Sequence, residues 1–129
     1  MAAGKYNFTI EQGTTVKLEL AYKDASGSAI DLTGYSGRMQ IRPDYADNTT
    51  TSYIYLSSSL ATDGTGLNFS GSNGLNPPAS GTIGLFISAV SSSNLNFETA
   101  LYDIEIESGS LVTRLLQGTI KLSREVTRL

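Results

Sequence analysis

The sequence predicts an all-β chain that folds as a single antiparallel β-sandwich of about eight strands over residues 1–129. Apolar and polar residues alternate with a period of two in most segments. Glycine, asparagine and serine separate these segments at short intervals, and no long stretch follows the helical period. No linker or internal repeat divides the chain, so we expect one domain.

The first part of the chain contains three alternating segments. Strands are predicted at residues 6–10, 16–22 and 35–42, and the second alternation is the clearest in the sequence. Residues 23–28 predict a turn, because Asp and Ser bond their own backbone and Gly accepts a positive φ. Pro43 ends the third strand, since proline cannot donate to a ladder.

The middle of the chain is less regular. Residues 44–52 predict a polar loop, and residues 53–56 predict a compact strand that we expect to be covered on both faces. Leu67 and Phe69 mark a short strand. Residues 70–80 hold two glycines and two prolines, which predicts a second loop.

The last part of the chain ends in a predicted hairpin. Residues 81–87 alternate as a strand, and residues 88–95 fit one or two helical turns. Residues 101–107 and 111–123 form the hairpin strands, joined by a two-residue loop at Gly109.

This hairpin loop has consequences for the strand register. It places Glu105 opposite Arg114 and Ile104 opposite Leu115, so odd-numbered residues of the last strand would face inward. The later apolar residues of the last strand are even-numbered, however. A β-bulge at Gln117–Gly118 would turn these even-numbered residues toward the core.

Tyr102 has two interpretations. The spacing Glu98-x-Ala100-x-Tyr102-x-Ile104 is typical of an immunoglobulin-like sandwich, in which the tyrosine hydroxyl bonds backbone a few residues upstream in a tyrosine corner. Alternatively, Tyr102 is an inward aromatic of the core.

The composition excludes most enzyme chemistry. The chain has no Cys and no His, which removes thiolate nucleophiles, imidazole bases and the usual zinc ligands. Nothing marks a catalytic pair among the twelve carboxylates. We therefore expect no enzymatic activity, no cofactor and no metal.

Charge and hydropathy limit the partners. The net charge of −3 argues against nucleic acid. No apolar run approaches the roughly 20 residues that span a bilayer, and residues 1–5 lack the apolar core of a signal peptide, so no membrane partner is expected.

Three groups of polar residues are candidates for binding. Asp103, Glu105 and Glu107 alternate on one outward face, which is typical of a solvated strand that resists edge pairing. Residues 44–48 and 63–66 carry oxygen ligands that suit calcium, although ordinary Asx turns account for them and the spacing of an EF-hand is missing.

Exposed tyrosines and a basic C-terminal segment complete the candidates. Tyr45, Tyr53 and Tyr55 could stack on sugar rings, or they could belong to the core or cover a sheet edge.

The C-terminal segment is cationic in an otherwise acidic chain; its basic residues include Lys121, Arg124 and Arg128. We expect this segment to dock on an acidic neighbouring subunit, so that deleting residues 124–129 weakens self-assembly.

Seven short motifs together resemble a known family. They are YNFTIEQGTT (6–15), IDLTGY (30–35), RMQIR (38–42), GTIGL (81–85), YDIEI (102–106), RLLQGTI (114–120) and EVTR (125–128). The chain resembles small virion proteins of tailed phages, frequent in cyanophages and prophages, and is similar in layout to the N-terminal β-sandwich of upper-baseplate proteins.

The resemblance implies a structural role without catalytic residues. The expected function is a non-enzymatic module of the tail, baseplate or neck, located in the virion after assembly in the host cytoplasm. Its partners would be other virion proteins and further copies of the chain in a homo-oligomer. Two alternatives are a capsid decoration (cement) protein and a carbohydrate-binding β-sandwich, since one architecture hosts many functions.

Overall fold

A computed structural model describes residues 4–24, 26–43, 53–71 and 78–126 of the chain. These residues contain nine strands, one short α-helix and a single 3₁₀ turn at Pro78–Ser80. The strands and the helix are β1 (Gly4–Lys5), β2 (Phe8–Glu11), β3 (Val16–Ala21), β4 (Ser36–Arg42), β5 (Ile54–Ser57), β6 (Gly66–Asn68), β7 (Thr82–Ile87), α1 (Ala89–Ser93), β8 (Thr99–Ser108) and β9 (Leu111–Ser123). The predicted loop at 44–52 and most of the one at 70–80 lie outside the described residues.

The strands form a large and a small sheet. The large sheet has the order β1-β9-β8-β4-β5, with β2 also paired to β9, and the small sheet has the order β3-β7-β6. This arrangement confirms the predicted all-β sandwich. The pairing is antiparallel except at the N-terminus, where β1 and β2 run parallel to β9. The predicted antiparallel pairing therefore holds for the other strand pairs and not at that edge.

A single core lies between the sheets. The large sheet contributes the inward side chains of β4 and β8, and the small sheet contributes those of β7. The best-buried members are Ile10, Leu32, Met39, Ile41, Leu56, Leu67, Ile83, Leu85, Ile87, Ile104 and Ile120. Because side chains alternate along a strand, the other half of each strand of the large sheet faces outward.

The β8–β9 hairpin follows the predicted loop, but its bulge lies elsewhere. Glu105 pairs with Arg114, as predicted, whereas Ile104 pairs with Leu116 instead of Leu115. The bulged residue is therefore Leu115, and the predicted bulge at Gln117–Gly118 is wrong. A bulge lets two neighbouring residues oppose one partner, so Leu115 and Leu116 both pack against the core.

Two shorter predictions have opposite outcomes. Helix α1 lies within the predicted helical turns, and the Ser88 side chain caps it by accepting from the Ser91 N–H.

The expectation that β5 is covered on both faces is wrong. Leu56 is buried on the inner face, but Tyr55 on the outer face is half exposed.

Candidate functional site

One side of the sandwich is open. Among the described strands, β2 pairs only with β9 and β3 pairs only with β7, so each presents a free edge. A groove of about 450 Å³ lies between the two edges. We call it the open groove; its lining includes Tyr6, Phe8, Thr9, Val16, Lys17 and Leu18.

The backbone of β2 is arranged so that alternate residues face this free edge. The Tyr6 N–H donates to Gln117 O at 3.0 Å and the Gln12 N–H donates to Ser123 O at 2.8 Å. In a parallel ladder, alternate residues direct their backbone groups to the same neighbour. The backbone N–H of Thr9 therefore points away from β9, toward the free edge.

The N-terminal segment is held to the large sheet by side chains as well as by the ladder. The Tyr102 hydroxyl donates to Tyr6 O at 2.6 Å, and Asn7 Oδ1 accepts from the Thr119 N–H at 2.9 Å. The backbone of Tyr6 passes directly over Gly118, where any Cβ would collide with the Tyr6 carbonyl. We call this close approach the crossing of Tyr6 over Gly118. The glycine that suggested a bulge therefore permits a close backbone approach.

These contacts correct one interpretation of Tyr102. Its hydrogen-bond acceptor is 96 residues upstream, so the predicted tyrosine corner, with an acceptor a few residues away, is wrong. The alternative is correct: Tyr102 is a buried inward residue, and its ring meets Phe8 edge-on at 5.3 Å. Burial raises the pKa of the Tyr102 hydroxyl to about 12, with a smaller contribution from Tyr6.

Helix α1 holds the connection between β2 and β3. Ser92 Oγ accepts from the Gly13 N–H at 3.1 Å and lies 2.7 Å from Thr14 O, to which it donates. Gln12 Nε2 donates to Leu95 O at 2.8 Å. Sequence reasoning missed Ser92, because it is one serine of a polar run and nothing local marks it as buried.

Part of the basic C-terminal segment lies next to β2. Lys121 is exposed on β9, directly across the ladder from Thr9. Arg124 Nη1 donates to Asn96 Oδ1 at 2.9 Å. Arg128 lies outside the described residues. Of the predicted assembly residues, the structure thus places Lys121 on β9, one strand in from the free edge of β2.

The outward side chains of the large sheet form a second candidate surface, which we call the outer face. Cross-strand pairing arranges those of β4, β5, β8 and β9 in rows. In order along the sheet, the rows include Ser36–Glu107–Val112, then Ser57–Arg38–Glu105–Arg114, then the middle row Tyr55–Gln40–Asp103–Gln117, and then Arg42–Leu101–Thr119. The outward stripe of carboxylates predicted on β8 belongs to this face.

Ion pairs connect the rows of the outer face. Arg38 Nε lies 2.9 Å from Glu105 Oε1, and Arg38 Nη1 lies 3.5 Å from Glu107 Oε2. Arg114 Nε lies 3.4 Å from Asp103 Oδ2. Each of these carboxylates therefore has an arginine partner.

Two shallow grooves meet at the centre of the outer face. Their volumes are about 310 and 400 Å³, and both are lined by Gln40, Asp103 and Glu105. Burial raises the pKa of Asp103, and the neighbouring charge of Glu105 raises it further. The arginines nearby act in the opposite direction without reversing the shift.

The three candidate tyrosines differ in their surroundings. Tyr45 lies outside the described residues. The Tyr53 ring packs on Phe97 with centroids 4.8 Å apart, so it serves as cover for the core. Tyr55 is 52% exposed and lies beside one of the two grooves. The structure thus brings one of the three to a groove.

The described acidic turn is an ordinary Asx turn. Asp63 Oδ1 accepts from the Thr65 N–H at 3.0 Å. Hydrogen bonds from Ser88 and Thr65 hold the pKa of Asp63 below its usual range. Within the described ranges, no three His, Cys, Asp or Glu side chains cluster as a metal site. The other calcium candidate, at residues 44–48, lies outside them.

No helix in the described part of the chain is long and apolar enough to cross a membrane.

No model of a protein family matches the sequence, and no curated protein is significantly similar to it.

Proposed function

We propose that this chain is a non-enzymatic structural protein of a bacteriophage virion, an interaction module of the tail, baseplate or neck. The observation that carries the proposal is the pair of free strand edges, β2 and β3, on the open side of the sandwich. The virion is the proposed location because of the sequence resemblance to small tailed-phage proteins.

The proposed mode of interaction is pairing of strand edges between chains. A free edge presents unpaired backbone groups that another extended segment can bond. On β2, the outward-pointing Thr9 N–H is such a group, and Phe8 and Leu18 offer apolar contact in the adjoining groove. Hydrogen bonds along the edge would supply affinity, and the groove would supply specificity.

A rigid edge supports this role better than a loose one. The crossing of Tyr6 over Gly118 and the bond from Tyr102 hold the N-terminal segment in one position. The contacts of Ser92 hold the connection that follows. An edge that is already ordered loses less conformational entropy when a partner binds.

Lys121 supplies a charge next to this edge. It is exposed, and it neighbours Thr9 across the β2–β9 ladder. An acidic segment on the neighbouring subunit would be attracted there, at close range in ordinary salt. This is the part of the basic C-terminal segment that we propose to act in assembly.

Light scattering coupled to size-exclusion chromatography tests the proposal over a wide range of protein concentrations. We expect a closed, symmetric homo-oligomer such as a trimer, pentamer or hexamer. Lys121→Glu should weaken it, whereas Lys23→Glu, the same charge change at an exposed turn, should not. A wild-type chain that stays monomeric at every concentration would contradict assembly through its own edges.

A further inference from the structure

The outer face of the large sheet carries a row of polar groups that the proposed assembly does not use. The middle row runs Tyr55–Gln40–Asp103–Gln117 across four neighbouring strands. With strands about 4.8 Å apart, the row spans about 14 Å. It lies on the face of the sheet, whereas the proposed assembly uses the edge.

Arginines determine which way the two amides of the row point. Arg42 Nε lies 2.7 Å from Gln40 Oε1, and Arg114 Nη1 lies 3.5 Å from Gln117 Oε1. Arginine has no acceptor, so each amide must present its oxygen to the arginine. The NH₂ group of each amide makes no hydrogen bond to another residue in the described ranges, and both remain available as donors.

Asp103 lies between these two amides and supplies acceptors. Its side chain is 37% exposed and shares one oxygen with Arg114 at 3.4 Å. The row therefore alternates donor, acceptor and donor. Sugar hydroxyls both donate and accept, so neighbouring hydroxyls on a ring match such an alternation.

Tyr55 stands at one end of the row as an exposed ring. It is 52% exposed, and it borders the groove of about 400 Å³ beside Gln40 and Asp103. A flat apolar ring with a polar tip is suited to stack on the face of a sugar.

The charge balance of the face selects the kind of ligand. Around the middle row lie three arginines and three carboxylates, and the four ion pairs among them involve Arg38 and Arg114. The other outward charges, Lys5, Lys121 and Glu11, lie farther out, on β9 and the N-terminal strands. A charged ligand would have to disrupt these pairs, whereas an uncharged polyhydroxylated ligand would not. The four-strand length of the row suits a short chain of sugars.

We propose that the outer face binds a neutral oligosaccharide along the middle row, with Tyr55 stacking on one sugar ring and the amides of Gln40 and Gln117 bonding hydroxyls. Asp103 accepts from a hydroxyl between them. This site is independent of the proposed assembly through β2.

Titration of the ¹⁵N-labelled chain with neutral oligosaccharides tests the site. The probes are the hexasaccharides of cellulose, amylose, laminarin and chitin, with polygalacturonate as the charged contrast. At least one neutral probe should shift the side-chain amide signals of Gln40 and Gln117. Tyr55→Ala should weaken its binding by about tenfold, a typical loss for an aromatic contact.

Two further variants make the result decisive. Tyr55→Phe keeps the ring and should bind within a few-fold of the wild type. Tyr6→Ala removes a tyrosine of similar exposure, 44%, on the open side and should bind normally. No shift with any neutral probe, unchanged binding by Tyr55→Ala, or tighter binding of polygalacturonate would each overturn the proposal.

Discussion

The two sides of the sandwich are closed to different degrees. On the side where β5 is followed by β6, the backbones approach closely, and a Cβ on Gly66 would lie 2.6 Å from Ser57 O and 2.8 Å from a Leu60 methyl. On the other side, β2 and β3 leave the open groove of about 450 Å³. Among the described strands, β5 and β6 also pair on one side only, but their backbones approach each other, whereas the edges of β2 and β3 border a groove.

The two sides are ordered by different kinds of contact. The closed side is ordered by direct packing around Gly66. The open side is ordered by side chains that reach the backbone, namely Tyr102 to Tyr6 and Asn7 to Thr119. Side-chain contacts of this kind hold an edge in position without covering it. The exposed side is therefore both held in position and available for pairing.

The largest expected effect on stability comes from adding a side chain at Gly118, directly beneath the backbone of Tyr6. Gly118→Val should displace the N-terminal segment, because a Cβ there collides with the Tyr6 carbonyl. We expect the free energy of unfolding to fall by about 3 kcal/mol, at the upper end for overpacking. Chemical denaturation measures this loss.

Hydrogen exchange separates this variant from its counterpart on the closed side. Gly118→Val should remove protection from the amides of β1 and β2. Gly66→Val should also destabilise the fold, since Gly66 has a φ of +149°, but it should leave β2 protected relative to the rest of the chain. Equal loss of β2 protection in the two variants would erase the distinction between the sides.

Tyr102→Phe tests the principal bond on the open side and should have an intermediate effect. It removes the donor to Tyr6 O and leaves that carbonyl without the hydroxyl, at a cost of about 1–2 kcal/mol. The ring and its contact with Phe8 remain. A stability equal to that of the wild type at neutral pH would mean that this bond contributes nothing to the open side.

The pH dependence of the same variant gives a second test. The folded-state pKa of Tyr102, about 12, lies above its ordinary value of 10.0, so the unfolded chain loses this proton first. The stabilising contribution is full below pH 10.0 and is lost as the pH rises toward about 12. The wild type should lose stability in this range more steeply than Tyr102→Phe.

A substitution on the outer face, away from both sides, should change the stability least. Arg38→Gln breaks the pairs with Glu105 and Glu107, but these groups are partly solvated. We expect only a small loss of stability, which shrinks in high salt because the charges are solvated. A loss as large as that of Gly118→Val would show that the face, and not the edge contacts, dominates stability.

The sequence predicts the strands well because their alternation is local. The bulge is a different case, since Leu115 and Leu116 are both apolar and either register fits the pattern. Gly118 suggested a bulge because glycine marks several unusual backbone conformations. Its actual reason, the passage of Tyr6, depends on a segment more than a hundred residues away.

The candidate sites show the same difference between local and long-range signals. The outward stripe containing Asp103 and Glu105 follows from parity and was predictable. The acceptor of Tyr102 was not, because the parallel pairing of β2 with β9 leaves no local signal. Ser92 was also hidden, since burial of a serine depends on which loop packs over the helix.

A proline at the free edge tests most directly whether β2 joins the subunits. Thr9→Pro removes the N–H that points away from β9, so it should leave the ladder intact while blocking a partner strand. Thr9→Val keeps that N–H and is the matched control. In light scattering we predict that Thr9→Pro is a folded monomer and that Thr9→Val assembles like the wild type. A Thr9→Pro chain that assembles normally would contradict the claim that the β2 edge joins the subunits.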